Sequence, residues 1–356
     1  MHMLKKVTVS VLCLVALVFF IPVICLTISK TTNLSASNKK LDKISGTPVE
    51  TTQKASAPLA TTSGAITTAA KEPMDTITCY IKSENKVETF AFNEYIKCVV
   101  AAEMPVSFEE EALKAQAVAA RTYTLQRALY YQKNGIPAEH HGALTCTDPT
   151  HCQAWISKDE KMKVWGEDGE KNWKKISDAV DSTRGLIMTY NGAPINAVFF
   201  SVSSGNTESA KNVWGSDIPY LQSVASPLDK QSPKYESSLS ITKDAFKKKM
   251  TESIKNVDFK DGIFGTIERS NTGSIISIVI GKVKITGANF RKILNLRSTN
   301  IQFSVSGDTI SMSVFGYGHG VGMSQYGANF LAQGGKTYNQ ILTSYYTGIK
   351  IEAYKK

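Results

Sequence analysis

Residues 99–105 read Val-Val-Ala-Ala-Glu-Met-Pro. The apolar run predicts a helix that ends on an acid, because the ring of Pro105 cannot continue it. The next residues, 107–110 (Ser-Phe-Glu-Glu), have the spacing of a capping box and predict a second helix. Glu103 therefore lies at a corner among apolar neighbours, where desolvation raises the pKa of a carboxyl toward the range that a general acid needs. An ordinary helix-end glutamate is the alternative.

The rest of the pattern predicts an α+β fold, with a helical N-terminal part packed on a mostly antiparallel sheet. Helices are predicted at 93–102, 107–132, 287–295, 322–332 and 338–346. Strands are predicted at 76–82, 87–92, 265–268, 274–280, 283–286, 301–305 and 309–314. The pair Asn191-Gly192 predicts a hairpin between strands 185–190 and 197–202, because Asn-Gly favours a type I′ turn.

An uncharged apolar run covers residues 7–28 and follows two lysines. Its length suits a helix that spans a bilayer, and the lysines predict a cytoplasmic N-terminus. We therefore expect 1–28 to be a cytoplasmic stub and a membrane anchor. Residues 29–75 are expected to be a flexible tether rich in Ser, Thr and Lys, and 76–356 an extracytoplasmic catalytic domain. A cleaved signal peptide is the alternative to the anchor.

The chain of 356 residues contains 41 Lys and Arg against 31 Asp and Glu, a formal net charge of +10. Such a charge suits an anionic partner such as nucleic acid, a lipid surface or a wall polymer. A domain outside the cytoplasm does not meet nucleic acid. The charge therefore favours a membrane surface or a cell-wall polymer.

A cluster of cysteines and histidines predicts a metal site. Its members are His140, His141, Cys146, His151 and Cys152. This density is typical of zinc, and the predicted ligands are His140, Cys146, His151 and Cys152, with His141 as a substitute. Four protein ligands leave no open position, so the one zinc per chain would be structural. A Cys146–Cys152 disulfide or redox pair is the alternative. Cys79 and Cys98 either pair or lie in the core.

Two loops are candidates for ligand binding. Residues 316–322 read Gly-Tyr-Gly-His-Gly-Val-Gly, so the backbone around His319 can approach a ligand closely. A phosphate-binding loop is a weaker interpretation, because no Lys-Ser or Lys-Thr pair follows. The hydroxyl-rich segment 201–207 offers Ser201 and Ser204 to sugar hydroxyls. A serine hydrolase that uses His319 and one of these serines stays open.

Two cations share one stripe of the second predicted helix. Lys114 and Arg121 are seven residues apart, and the stripe runs back toward Glu103. Both residues either hold an anionic or polar sugar or form ion pairs. A solvated face is favoured for Lys114.

Several motifs occur together in the order of one known family. They are 95–97 (Tyr-Ile-Lys), 101–105 (Ala-Ala-Glu-Met-Pro), 115–123 (Ala-Gln-Ala-Val-Ala-Ala-Arg-Thr-Tyr), 213–215 (Val-Trp-Gly), 219–221 (Pro-Tyr-Leu), 318–325 (Gly-His-Gly-Val-Gly-Met-Ser-Gln), 341–342 (Ile-Leu) and 345–348 (Tyr-Tyr-Thr-Gly). On these motifs the chain resembles the stage II sporulation protein D family, membrane-anchored lytic transglycosylases of spore-forming bacteria. The resemblance covers roughly residue 79 to the C-terminus, with the same layout of anchor and tether.

The resemblance implies that Glu103 is the catalytic acid of a peptidoglycan lytic transglycosylase. Such an enzyme cleaves the MurNAc-GlcNAc bond and leaves 1,6-anhydro-MurNAc ends, here on peptide-stripped glycan during engulfment. The candidates for the substrate groove, from the resemblance and from the loops above, are Lys114, Arg121, Tyr190, Ser201, Ser204, Thr207, Tyr220, Asp229, His319, Ser324 and Gln325. Cys98 and Ala102 stand where the family leads us to expect glycine, and Gln222 where a basic residue is common.

The resemblance also implies partners and a location. The partners are peptidoglycan glycan strands, the engulfment amidase (stage II sporulation protein P) and the membrane protein M, at the sporulation septum. The Cys/His cluster resembles a metal site that some members have. Two other classes of function stay open: a glycan-binding amidase enhancer without activity of its own, and a zinc hydrolase with a metal-bound water. The Ala-Glu-Met-Pro corner and the predicted anchor favour the transglycosylase.

Overall fold

The structure is a computed structural model that describes residues 71–355. The predicted anchor and residues 29–70 of the predicted tether lie outside the described residues. Each helix between residues 71 and 355 is too short or too polar to cross a bilayer.

Helices and short strands alternate along the described chain. The helices are α1 Phe92–Glu103, α2 Glu110–Asn134, α3 Lys158–Trp165, α4 Gly169–Ser182, α5 Ala210–Trp214, α6 Lys243–Ser253, α7 Gly287–Leu294, α8 Gln325–Gln333 and α9 Tyr338–Tyr345. The strands are β1 Thr76–Ile81, β2 Lys86–Ala91, β3 Thr145–Cys146, β4 Leu186–Tyr190, β5 Ala193–Pro194, β6 Phe199–Phe200, β7 Glu236–Thr242, β8 Phe264–Arg269, β9 Ile275–Ile280, β10 Val283–Thr286, β11 Asn300–Ser306, β12 Thr309–Phe315, β13 Met323–Ser324 and β14 Lys350–Ala353.

The strands form small sheets in the orders β2-β1-β3, β14-β4-β5, β10-β9-β8, β11-β12-β7 and β13-β6. Most pairs are antiparallel, while β1–β3 and β6–β13 are parallel. The predicted α+β class is therefore confirmed. The helices α3, α4, α5 and α6 and the strands β3, β7, β13 and β14 were not predicted.

The core has two parts. The first surrounds the alanine-rich α2, whose small side chains let α1, α4, α8 and α9 approach closely; Ala115, Ala117 and Ala120 are fully buried there. The second lies among β7–β12, α6 and α7, around Phe246 and Phe290. Cys79 and Cys98 are buried and unpaired, which confirms them as core residues.

The corner after Glu103 differs from the capping box predicted at Ser107. Helix α2 begins at Glu110, and its N-cap residue Glu109 makes no side-chain cap. Before it, the Phe108 N–H donates to the Pro105 carbonyl at 3.0 Å in a tight turn. The Glu109 N–H donates instead to Oδ1 of Asn329 at 2.8 Å. A contact with α8 therefore replaces the local cap.

The predicted hairpin is confirmed at its turn and wrong in its second strand. Asn191 and Gly192 have φ of 51° and 79°, as a type I′ turn requires. The strand that follows is only Ala193–Pro194, because proline has no N–H to extend the ladder. Phe199–Phe200 pairs in parallel with Met323–Ser324 instead. This pairing brings the serine loop beside the glycine-rich loop.

The two cations predicted on one stripe of α2 have different surroundings. Arg121 is fully buried, and its Nε donates to the Glu72 carboxylate at 3.1 Å. Its other nitrogens donate to the carbonyls of Val180 and Leu186 at 3.2 and 3.3 Å. Lys114 forms ion pairs with glutamates of its own helix at 2.7 and 2.9 Å. Arg121 thus joins the start of the described chain to α2, α4 and β4.

This difference predicts unequal effects on stability. Arg121→Met leaves the largely buried Glu72 carboxylate without its charged donor, and we expect a loss of about 3–5 kcal/mol in the free energy of unfolding. Lys114→Met, on the same helix, removes a partly screened ion pair and should cost about 1 kcal/mol or less. Urea unfolding followed by circular dichroism measures both. Equal losses would contradict the assigned role of Arg121.

Candidate active site

Glu103 is the last residue of α1 and is held by two distant segments. The helix ends there because Met104 is extended, with φ of −116° and ψ of 143°. One carboxylate oxygen, Oε1, accepts a hydrogen bond from the Ala154 N–H at 2.8 Å. The other, Oε2, accepts from Nε2 of Gln325 at 3.1 Å. Gln325 is the first residue of α8, so the start of that helix fixes one side of the carboxylate.

Burial raises the pKa of the Glu103 carboxyl above its ordinary value. The hydrogen bonds from Ala154 and Gln325 oppose the rise, because they stabilise the charged form. The direction of the shift confirms the expectation drawn from the apolar neighbours. Protonated Glu103 therefore persists to a higher pH than a solvated glutamate does.

Glu103 lies in a cavity of about 910 Å³. The predicted groove residues that line this cavity are Ser201, His319 and Gln325. The lining also includes residues that were not predicted for the groove, among them Arg127, Trp214, Arg291 and Tyr317. Within residues 71–355, Glu103 is the only Asp or Glu in this lining. The cavity thus offers one acid, several aromatic rings and two guanidinium groups.

Four of the remaining predicted groove residues are absent from the cavity lining. Ser204 accepts a hydrogen bond from Nδ2 of Asn300 at 3.1 Å. Thr207 is fully buried, and its Oγ1 accepts from the Val224 N–H at 2.9 Å. The rings of Tyr190 and Tyr220 are 5.5 Å apart. Of these four, Tyr220 contacts a lining residue, because its hydroxyl accepts from the N–H of Asn196 at 3.1 Å.

Lys114, Arg121, Asp229 and Ser324 are also absent from the cavity lining. Asp229 is fully buried, its Oδ2 accepts from the Ser203 N–H at 2.7 Å, and burial raises the pKa of its carboxyl. Ser324 caps α8, because its Oγ accepts from the Gly327 N–H at 3.1 Å. These contacts fix the serine loop and the first turn of α8, and therefore the position of Gln325.

His319 lies in the cavity wall between aromatic rings. Its Nδ1 accepts a hydrogen bond from the Val321 N–H at 3.1 Å. Its ring centroid is 5.4 Å from that of Trp214 and 5.6 Å from that of Phe200. Burial and the nearby Arg291 lower the pKa of His319 to about 4, so the imidazole is neutral near pH 7. No serine in the described range hydrogen-bonds to it, and the serine hydrolase gains no support.

The glycines around His319 allow the loop to pack on its neighbours. At Gly322, where φ is 78°, a Cβ atom would lie 2.1 Å from the Val198 carbonyl oxygen. At Gly318 it would lie 2.6 Å from Cβ of Phe200. The glycines therefore bring the loop against β6 and are required for packing of the cavity wall.

The predicted metal ligands come together in the structure. Nε2 of His140 lies 2.9 Å from Nδ1 of His151 and 3.3 Å from Sγ of Cys152. Sγ of Cys146 lies 3.7 Å from the same Nδ1. All four ligand atoms lie within 4.8 Å of one another, and neither cysteine forms a disulfide. His141 is not in this cluster, since it stacks on Tyr80 with ring centroids 4.2 Å apart.

The surroundings of the cluster suit metal ligation. Nδ1 of His140 donates to the Ala143 carbonyl at 3.1 Å, which leaves Nε2 as the ligand atom. Nε2 of His151 lies 3.5 Å from the Glu139 carboxylate. His151 and Cys152 also line the cavity, and Ala154 donates to Glu103 two residues later. The Cys/His cluster therefore shares a loop with Ala154, which donates a hydrogen bond to Glu103.

The family model and two curated relatives that match this chain carry the same family description. A family model described as "Stage II sporulation protein" matches residues 80–190. Stage II sporulation protein D of Bacillus subtilis is 40% identical over 346 residues, which cover 97% of this chain and 94% of the relative. The protein of the same name from Bacillus amyloliquefaciens is 40% identical over 291 residues, 82% of each chain.

A more distant relative has another name. The amidase enhancer of Bacillus subtilis is 28% identical over 311 residues, which cover 73% of this chain and 40% of the relative. The two stage II sporulation protein D sequences match at higher identity and over more of their own length. The chain belongs to the stage II sporulation protein D family.

Proposed function

We propose that the protein is a lytic transglycosylase that cleaves the MurNAc-GlcNAc bond of peptide-stripped peptidoglycan during sporulation. One observation carries the proposal: Glu103 is a partly buried carboxyl with a raised pKa, and it is the only acid in the lining described for its cavity. Glycosidases that use water require a second carboxylate to activate that water or to act as a nucleophile. A single acid suits a reaction in which the substrate supplies its own nucleophile.

The mechanism follows from this single carboxyl. Protonated Glu103 donates its proton to the glycosidic oxygen as the bond to C1 of MurNAc breaks. The resulting Glu103 carboxylate takes the proton from the C6 hydroxyl of the same sugar, and O6 bonds to C1. The product is a 1,6-anhydro end, water is not consumed, and Glu103 is protonated again. The hydrogen bonds from Ala154 and Gln325 stabilise the carboxylate between the two proton transfers.

The cellular setting is part of the proposal. The names of the 40% identical relatives support a role in sporulation, and their alignments extend over most of this chain. We propose that residues 1–28 anchor the protein in the membrane with its catalytic domain outside the cytoplasm. By the same resemblance, its partners are the engulfment amidase (stage II sporulation protein P) and the membrane protein M.

Replacement of the acid tests the proposed activity. Glu103→Gln keeps the side-chain volume but removes the ionisable group, so we expect cleavage of purified glycan strands to fall by about 10²–10⁴. Glycan binding and melting temperature should stay near those of the wild type. Glu110→Gln, at an exposed position, is the control that keeps activity. Normal cleavage by Glu103→Gln would overturn the assignment.

The relative named amidase enhancer supports a second candidate, a glycan-binding protein without activity of its own. That function predicts no cleavage by the purified wild-type protein. It also predicts that Glu103→Gln still stimulates an amidase. Chromatography of purified strands before and after incubation therefore separates the two candidates.

The pH dependence tests the hydrogen bond from Gln325. The reaction needs protonated Glu103, so kcat/KM should fall as pH rises through the pKa of the free enzyme. Gln325→Met removes a donor to the charged form and should move this limb to higher pH. Gln333→Met, an exposed position at the other end of α8, should leave the limb unchanged. If the fall of kcat/KM occurs at the same pH in Gln325→Met as in the wild type, the hydrogen bond from Gln325 does not affect the pKa of Glu103.

We propose that the metal of the Cys/His cluster is zinc. Two thiolates and two imidazoles are the typical ligands of tetrahedral structural zinc, and all four positions would be filled by protein. The metal would then hold the loop that carries Ala154 and take no part in the chemistry. With four protein ligands, no coordination position on the zinc is left for a reactive water. The proposed ligand set therefore does not support a zinc hydrolase.

Metal analysis tests the zinc proposal. The wild-type protein should contain one zinc per chain, and Cys146→Ser/Cys152→Ser should contain none and melt at a lower temperature. Cys98→Ser is the control, because Cys98 is buried outside the cluster and should leave the zinc content unchanged. Full zinc content in the double variant would exclude these ligands.

A further inference from the structure

Two arginines line the cavity but have no role in the proposed mechanism. Arg127 comes from α2 and Arg291 from α7. The Nε of Arg127 donates to the Tyr123 hydroxyl at 3.3 Å, and the Nε of Arg291 donates to the Leu296 carbonyl at 3.1 Å. Within the described chain, neither guanidinium forms an ion pair, and their terminal nitrogens make no hydrogen bond. The Arg127 guanidinium also lies over the Tyr123 ring, 5.4 Å from its centroid, and the terminal nitrogens of both arginines remain available to a ligand in the cavity.

Two arginines outside the cavity, the fully buried Arg121 and the partly exposed Arg184, are paired with carboxylates. The guanidinium of Arg121 contacts the Glu72 carboxylate, and that of Arg184 contacts Asp181 at 2.9 Å. In the cavity, Glu103 is the only acid of the described lining, and it is already bonded to Ala154 and Gln325. Two half-buried cations that no carboxylate of the described residues pairs with favour an anionic ligand. Carboxylate and phosphate groups match the guanidinium fork best.

The same lining indicates that the ligand carries sugar rings. Trp214 and Tyr317 are 45% and 39% exposed, unusually high for large aromatic side chains, and both face the cavity. Exposed aromatic rings that border a binding site offer apolar area for the flat faces of a ligand. A small inorganic anion would not cover them. The combination fits a glycan that carries carboxylates.

We propose that Arg127 and Arg291 determine substrate specificity by binding the free lactyl carboxylates of muramic acid. This inference rests on the proposed function. In a glycan strand the sugars are otherwise neutral, and the lactyl group is a carboxylate only where no stem peptide is attached to it as an amide. Muramic acid recurs at every second sugar, so one strand presents carboxylates to both walls of the cavity. The two arginines then distinguish stripped strands from peptide-bearing strands.

The experiment compares two substrates that differ only in this charge. One is peptide-stripped strands with free lactyl carboxylates, and the other is the same strands converted to neutral methylamides. With the full chain, we expect kcat/KM to be at least about tenfold higher on the carboxylate strands, the size of a lost charged hydrogen bond. Arg127→Gln and Arg291→Gln should each lose about tenfold on the carboxylate strands and change little on the methylamide strands.

The controls separate recognition from structure. Arg127→Lys and Arg291→Lys keep the charge and should recover part of the preference. Arg184→Gln removes an arginine outside the cavity and should behave as the wild type. Arg127 also lies near Cys152 of the metal cluster, so the metal content of each variant is measured. Equal losses on both substrates would show a structural role and overturn the proposal, as would equal use of both substrates by the wild type.

Binding separates this proposal from the proposed function. Fluorescently labelled strands of both kinds are titrated into the wild type and the arginine variants, each carrying Glu103→Gln to prevent cleavage. A preference for carboxylate strands that disappears in the arginine variants supports the proposal, even if the wild-type enzyme cleaves neither substrate. Binding without any preference overturns it, even if the wild-type enzyme cleaves both.

Discussion

The two hydrogen bonds to the Glu103 carboxylate are the interaction on which the site depends. They come from the Ala154 N–H at 2.8 Å and from Nε2 of Gln325 at 3.1 Å. The first donor belongs to the loop that carries His151 and Cys152, and the second to the first turn of α8. The acid is thus placed only when the Cys/His loop and the C-terminal helices are both folded. This dependence explains why polar residues outside the cavity, such as Ser324 and Asp229, are buried and hydrogen-bonded.

The competing effects on Glu103 suit its two proposed tasks. Burial favours the neutral acid, which must protonate a leaving oxygen, while the hydrogen bonds favour the carboxylate, which must later accept a proton. A fully solvated glutamate would already be ionised near neutral pH and could not donate a proton. A buried one without donors would be a poor acid because its charged form would be unsupported. The observed arrangement lies between these limits and is compatible with a single residue acting as acid and then base.

Features encoded by neighbouring residues were predictable from sequence. The break at Pro105, the Asn191-Gly192 turn and the Cys/His cluster all lie within short segments, and the structure confirms each. The helix α3 carries an equally local signal, the capping box of Ser157 and Glu160, although this helix was not predicted. Other features depend on contacts between residues that are distant in sequence. Arg121 is buried because Glu72, Val180 and Leu186 surround it, which no helical stripe reveals.

The residues that line the cavity were also hard to predict, because they come from distant parts of the sequence. Gln325 reaches Glu103 across 222 residues, and Arg291 belongs to the second part of the core. The family resemblance identified Gln325, whereas no sequence motif pointed to Arg127 or Arg291. Tyr317 was noted only as part of the glycine-rich loop. Trp214 was noted only as part of a motif. Whether an arginine lacks an acidic partner can be judged only in the folded structure, because the residues that surround its guanidinium come from distant parts of the sequence.

The central claim is that one carboxyl cleaves glycan without water. It is tested most directly by digestion of purified strands in heavy-oxygen water, followed by mass spectrometry of the new ends. A single-carboxyl mechanism predicts 1,6-anhydro ends that lack the heavy isotope and weigh one water less than hydrolysis products. Incorporation of heavy oxygen at a reducing MurNAc end would contradict it, because water would then be the nucleophile.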